Sequence, residues 1–354
     1  MKKNAKYKSL RQRKNLYARR WKRRLKSKRK RSRSFGQRSV TINPPKPTME
    51  IKYDKYIVAP DNFCIKENPE PVIKFINKLN DCLNSRRSCF VVLTNVKNMS
   101  PDAVVVLLSI LGQFKKQGVK FNGNYPNDLA ARKRFVEMGF IESLFDSPRI
   151  TPYDTTTKNV IRKHGKSPAG YMAKDLISKC TTNIWGEPRR CQGVYRILME
   201  LMQNTHSHAN ATKVGEENWW MSVNYDEKRN VECFSFVDYG IGVFTSLEHK
   251  KPGTKFFGIL DKIRSSMKNP ANNEVLKSIL DGALHKTSTG HYYRGKGLPG
   301  IKTAMNRNQV SNLYIITNDV YANVGKNQYN TLQNALSGTF IYWELTKNNI
   351  CCEY

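Results

Sequence analysis

The chain has 354 residues and a formal net charge of +33 at neutral pH. That length suffices for two domains, each with its own core, and the cationic excess points to a polyanionic partner. No apolar run approaches the ~20 residues that cross a membrane, and the longest, Val104 to Leu111, is interrupted by Ser109. The charged N-terminus lacks the apolar stretch of a secretory signal. Eight cysteines without a C-x-x-C pair read as reduced thiols of a cytoplasmic protein and do not suggest a zinc site.

The charge is unevenly spread. Residues 1–46 hold twenty Lys and Arg and no acid, leaving a net charge of about +13 for the rest. Such an arm cannot bury enough apolar surface to fold alone. Tyr17, Trp21 and Leu25 fall at i, i+4, i+8, so it is either disordered or a basic amphipathic helix on a polyanion. Nucleic acid is the first candidate partner, through counterion release and stacking on Trp21 or Tyr17. An anionic membrane surface, a transit peptide and a solvated tail without a partner are the other readings. Asn43 to Pro47, NPPKP, ends the arm as a stiff linker at residue 47.

Residues 48–150 alternate strands with helices, an α/β pattern. Residues 50–60 predict an edge strand, 69–83 a helix and 89–96 a buried strand. An amphipathic helix follows over 100–118, with Ser100 as N-cap and Pro101 at its first position. A further strand, a helix and a short element ending at Phe145 complete the unit. This succession, from Phe90 through a strand–turn–helix to EMGFIESLF, resembles a STAS domain, the fold of anti-anti-sigma factors. In that family the turn before the helix carries a phosphorylated serine. The matching position here holds Asp102, with Ser100 two residues earlier. The resemblance implies a fixed negative charge at a helix N-terminus; an ordinary first-turn aspartate is the alternative.

Residues 151–354 begin as a polar connection. A helix over 170–185 is then stopped by Gly186 and Pro188. In the stretch Tyr195 to Asn210, Glu200, Asn204 and His208 recur every four residues, with about 6 Å of rise between successive members of one helical face. A face bearing a carboxylate, an amide and an imidazole can line a metal–phosphate site, or be a solvated stripe. Residues 219–240 form a hairpin ending in Asp238, with Gly240 and Gly242 behind it. A long polar stretch leads to Arg294-Gly295-Lys296-Gly297-Leu298-Pro299-Gly300, a glycine-rich turn opening a helix, and Ser337 to Leu345 reads as a closing strand. The C-terminal KNNICCEY reads as a frayed end.

The order E-x-x-x-N-x-x-x-H, D-x-G-x-G, G-x-G-L-x-G and G-T resembles the GHKL ATP-binding family of gyrase-type ATPases, Hsp90, MutL, histidine kinases and anti-sigma-factor serine kinases. The resemblance implies a Bergerat-type α/β sandwich over 151–354, with an ATP lid at about 244–289. It implies Mg²⁺ on Asn204 and a general base at Glu200. His208 matches the anti-sigma kinase branch and lies beside the nucleotide there. Asp238 would accept the adenine amine, with Gly240 and Gly242 letting the backbone approach the base. Arg294, Gly295, Lys296, Gly297, Leu298 and Gly300 would hold phosphates, and Thr339 would reach the base pocket. ATP and Mg²⁺ are the implied cofactors. The implied activity is ATP hydrolysis or Ser/Thr phosphoryl transfer tied to a regulatory protein partner. A nucleic-acid-associated ATPase acting through residues 1–46 and a nucleotide-binding module without turnover are the alternatives, and a homodimer fits either. No dimerisation helix pair of a sensor histidine kinase is present.

Overall fold

The computed structural model describes residues 52–145, 159–164, 170–212, 219–249, 252, 257–268, 270–282 and 297–353. The basic arm lies outside them. Residues 53–354 form one compact unit of mixed helix and sheet.

The chain first builds a parallel three-stranded sheet from β1 (Lys55–Val58), β3 (Cys89–Val92) and β5 (Phe121–Gly123), in the order β1-β3-β5. Two helices make the crossovers. In the first, α1 (Pro69–Asn84), Pro69 supplies the preset φ of a first turn. In the second, α2 (Pro101–Gln117), Ser100 is the N-cap, and Gly118 in the left-handed region closes the end with its N–H on the Lys115 and Phe114 carbonyls. The Ser100 hydroxyl reaches the Phe63 carbonyl instead of capping. A minor pair, β2 (Asn62–Phe63) and β4 (Asn98–Met99), flanks this unit. Next come α3 (Leu129–Glu137), capped by Asp128 on the Ala131 N–H, and α4 (Phe140–Phe145).

The second sheet is antiparallel and five-stranded, in the order β10-β11-β9-β8-β6. Its strands are β6 (Asn159–His164), β8 (Trp219–Asp226), β9 (Val231–Asp238), β10 (Ser311–Asn323) and β11 (Gln328–Thr346). The hairpin between β8 and β9 is set locally, since the Asp226 carboxylate accepts from the Lys228 and Arg229 N–H groups and Asn230 takes a positive φ of 51°. β6 falls in the stretch read from sequence as a polar connection; NVIRKH has no clean alternation to announce a strand.

One face of this sheet is covered by α5 (Gly170–Trp185), α6 (Gln192–Thr212), α9 (Asn272–Leu280) and α10 (Gly297–Asn306). Within this core Phe234 stacks on Trp343 at 5.1 Å and Trp219 on Phe236 at 5.4 Å. The other face, with Trp220, Val237, Ile316, Phe340 and Tyr342, shares a core with α1 and α2. So α2 lies between two sheets, and its residues from Asp102 to Leu111 are all buried. A helix apolar all round is a helix with no solvent side. At Gly112 an added Cβ would sit 3.0 Å from the Trp220 ring, which lets α2 approach β8 closely. Hydrogen bonds tie α1 to the turn end of β11: the Asn77 amide donates to the Ala335 carbonyl, and Glu70 accepts from the Gln333 and Asn334 N–H groups.

Two expectations are corrected. The C-terminal residues are not frayed, because β12 (Cys352–Glu353) pairs antiparallel with β7 (Arg189–Arg190). Nor are all cysteines free thiols: Cys191 and Cys351, 160 positions apart in sequence, form a disulfide. The β7–β12 pairing brings them together, and no short Cys spacing could signal it. Of the stretch expected to form a lid, α7 (Val243–Glu248), α8 (Ile259–Ser266) and α9 are described; Phe244, Leu260, Val275 and Ile279 are buried in the core.

Candidate functional site

The site forms where the end of the five-stranded sheet meets α6. β9 ends at Asp238, and cross-strand pairing aligns Trp219, Asp238, Thr339 and Thr317 in one row. Paired residues of adjacent strands share a face, and this row shares the face of Phe236 and Ile341, which pack against the α5, α6, α9 and α10 layer. Asp238 and Thr339 are half-buried neighbours. The Thr339 and Thr317 hydroxyls are 3.0 Å apart.

Burial pushes the Asp238 carboxyl up to about 7, and a hydrogen bond with the Thr205 hydroxyl partly offsets this. Thr205, itself buried, follows Asn204 on α6. No cation is ion-paired with Asp238 among the described residues. The group is a hydrogen-bond acceptor without a charged partner, poised to change protonation near neutrality.

The loop beyond Asp238 is clamped. Gly240 returns its N–H to the Asp238 carbonyl, and a Cβ there would stand 3.3 Å from Oδ1. Gly242 has φ 76°, and a Cβ on it would overlap the Asn318 amide. Asn318 sits at a bulge of β10 with φ 50°. It accepts from the Phe244 N–H and donates to the Ile241 carbonyl and Thr245 hydroxyl. From β11, Gly338 with φ 110° passes so close that a Cβ would overlap the Asp238 carbonyl.

On the helix side, Glu200 and Asn204 are half-buried one turn apart. α10 begins against them. A Cβ on Gly297 would meet the Asn204 Nδ2 at 3.4 Å and the Glu200 Oε2 at 4.0 Å. Burial raises the Glu200 carboxyl above its ordinary range, opposed by the Arg196 guanidinium. Leu298 is partly buried against the core and Gly300 is buried.

No family model, curated protein or solved structure matches this chain. The site is therefore read from its own geometry.

That geometry joins Glu200, Asn204 and Gly297 on one side, and Asp238, Gly240, Gly242 and Thr339 on the other, with α6 touching both groups through Asn204 and Thr205. His208 lies on α6, but its side chain is outside the described residues, as are Arg294, Gly295 and Lys296. Among the described residues no group of three or more His, Cys, Asp or Glu could hold a metal ion. An ion coordinated mainly by phosphate oxygens and waters needs one or two protein ligands, so the Asn204 amide oxygen remains chemically suitable.

Thr205, Thr317 and Asn318 were not singled out from sequence, and Gly338 entered only as the glycine of the G-T pair. Asn318 had a faint signal, an asparagine inside a strand-like run, since Asn is enriched at positive φ. Asp102 is buried and accepts hydrogen bonds from the Lys66 and Ala103 N–H groups. Burial pushes it up to about 6, with these bonds and Lys66 opposing. Those contacts tie the start of α2 to the loop before α1, the work of a structural first-turn aspartate.

Proposed function

We propose that the protein binds Mg-ATP at this site, with a GHKL-like division of labour, and hydrolyses it or transfers its phosphoryl group. The observation that carries the reading is the row in which Asp238 and Thr339 lie side by side, clamped by Gly242, Asn318 and Gly338, beside a helix presenting Glu200 and Asn204 to the glycine that opens α10. Asp238 would accept the adenine amine and Thr339 would support it. Gly240 and Gly242 would let the backbone run close to Asp238 and Asn318, which holds the loop against the carboxylate. Asn204 would hold Mg²⁺, which when bound neutralises phosphate charge. Glu200 would orient and deprotonate a water or hydroxyl nucleophile, a role that its burial-raised affinity for a proton supports.

A regulatory switch or Ser/Thr kinase fits the α/β unit built on the back of the sheet. A nucleic-acid-associated ATPase is favoured by one observation, the twenty cations in residues 1–46. Among the described residues no helix is long and apolar enough to cross a membrane. Titration of the full chain with Mg-ATP, followed by phosphate release with and without DNA or RNA, tests the proposal. Nucleotide binding with turnover supports it. Binding without turnover under any condition reduces the protein to a nucleotide-binding module, and no binding removes the reading.

A further inference from the structure

The three-stranded sheet has two unlike faces. Ile57, Cys89 and Val91 point into the shared core. Register pairs Tyr56 with Phe90, Phe90 with Asn122 and Val58 with Val92 on the opposite face. That face is open: Tyr56 is 60% exposed and Val58 53%, and Asn122 is exposed. Tyr53 joins Tyr56 and Phe90 in a cluster, with ring centroids 5.4 Å apart for Tyr53–Phe90, 5.6 Å for Tyr56–Phe90 and 6.3 Å for Tyr53–Tyr56.

The end of the sheet beside these rings is cationic. Lys55 opens β1, Arg86 and Arg87 precede β3, and Lys120 precedes β5; all four are exposed. None is ion-paired with a carboxylate among the described residues. Asp54, at the same end, is engaged by the Ser88 N–H and hydroxyl. A purely apolar partner would leave these cations unused, and a phosphate backbone alone would leave the rings unused. A single nucleic-acid strand uses both, since its bases stack on aromatic faces while its phosphates meet Lys and Arg.

We propose that this face is a stacking platform for single-stranded nucleic acid, with Tyr56 as its principal ring, Tyr53 and Phe90 supporting it, and Lys55, Arg86, Arg87 and Lys120 meeting the backbone. The site lies on the folded body and is independent of the nucleotide-binding proposal. Duplexes are disfavoured because their bases already stack on one another.

The test is fluorescence anisotropy of the full chain with a short oligouridylate, a short oligothymidylate, duplex DNA and anionic phospholipid vesicles, all at physiological ionic strength. Tyr56→Ala is expected to weaken binding of a single strand about 5- to 150-fold, with duplex and vesicle binding unchanged. Tyr56→Phe, which keeps the ring, is expected to stay close to wild type. Comparison of the two oligomers shows whether RNA or DNA is the better ligand. Because Tyr56 and Val58 are exposed, the circular dichroism spectra of Tyr56→Ala and of Val58→Glu should match wild type, and Val58→Glu should weaken single-strand binding by repelling phosphate. Equal single-strand affinity of Tyr56→Ala and wild type would overturn the proposal. So would an equal loss on duplex or vesicles, or no single-strand binding by the full chain.

Discussion

Two helices on opposite faces of the five-stranded sheet, α2 and α6, were given opposite tasks. α2 is buried from Asp102 to Leu111 between two sheets. Its apolar run therefore reports its surroundings, not a membrane. α6 buries Val194, Ile197, Leu198, Leu201 and Met202, but keeps Glu200 and Asn204 half-buried against Gly297. A helix that fills space is apolar in every direction, whereas one that lines a site gives up part of its burial to polar groups. Substitutions should separate the two: on α2 they cost folding, and on α6 they cost chemistry.

The largest expected effect is at the centre of α2. Leu108→Asp would place an unpaired carboxylate between two sheets, and should destabilise the protein by more than about 4 kcal/mol. Urea unfolding measures it. A mild loss would mean that α2 is not held between the sheets. Asn204→Ala on α6, by contrast, should change stability by less than about 1 kcal/mol.

Next is Glu200→Ala, expected to lower turnover about 10²–10⁴-fold while Mg-ATP still binds. Steady-state phosphate release and equilibrium binding of nucleotide separate the two effects. Turnover that survives the substitution would assign the base elsewhere.

A smaller effect is expected at the crosslink preceding α6. Cys351→Ser opens the Cys191–Cys351 disulfide, which closes a long loop and should contribute about 2–4 kcal/mol. Equal melting of wild type and variant under oxidising conditions would show that the bond does not form in solution.

These contrasts also show what the sequence could reveal. The polar face of α6 was legible because three side chains four residues apart mark one side of a helix. The helical run of α2 was legible too, but its second buried side was not, since an apolar block carries no period to say what lies on each flank. β6 was hidden by the lack of alternation in NVIRKH. The partnerships of Asn318 with Gly242 and of Gly338 with Asp238 arise only when β9, β10 and β11 are laid side by side. The disulfide depends on strand pairing at residues 160 apart. Except at β6, where the local pattern was silent, the missing information was long-range.

Asp238 yields a pH-dependent prediction. Its carboxyl is raised to about 7 in the folded protein, from 3.8 for the unperturbed group. The folded state thus holds the proton more tightly. The associated stability is fully present below about pH 4 and is lost as pH rises through about 7. Asp238→Asn, which cannot ionise, should therefore be more stable than wild type at pH 8, by about 2–4 kcal/mol at most, and the advantage should shrink toward pH 4. Melting curves across this range check the sign. An advantage independent of pH would place the carboxyl in water.

Calorimetric titration of wild type and Asp238→Asn with Mg-ATP at pH 8 tests the central claim most directly. The account predicts that wild type binds and that the variant, still folded, binds more weakly by about 1–3 kcal/mol, because one accepting carboxylate oxygen becomes a donating amide. Equal affinities, or a wild type that does not bind Mg-ATP, would contradict it.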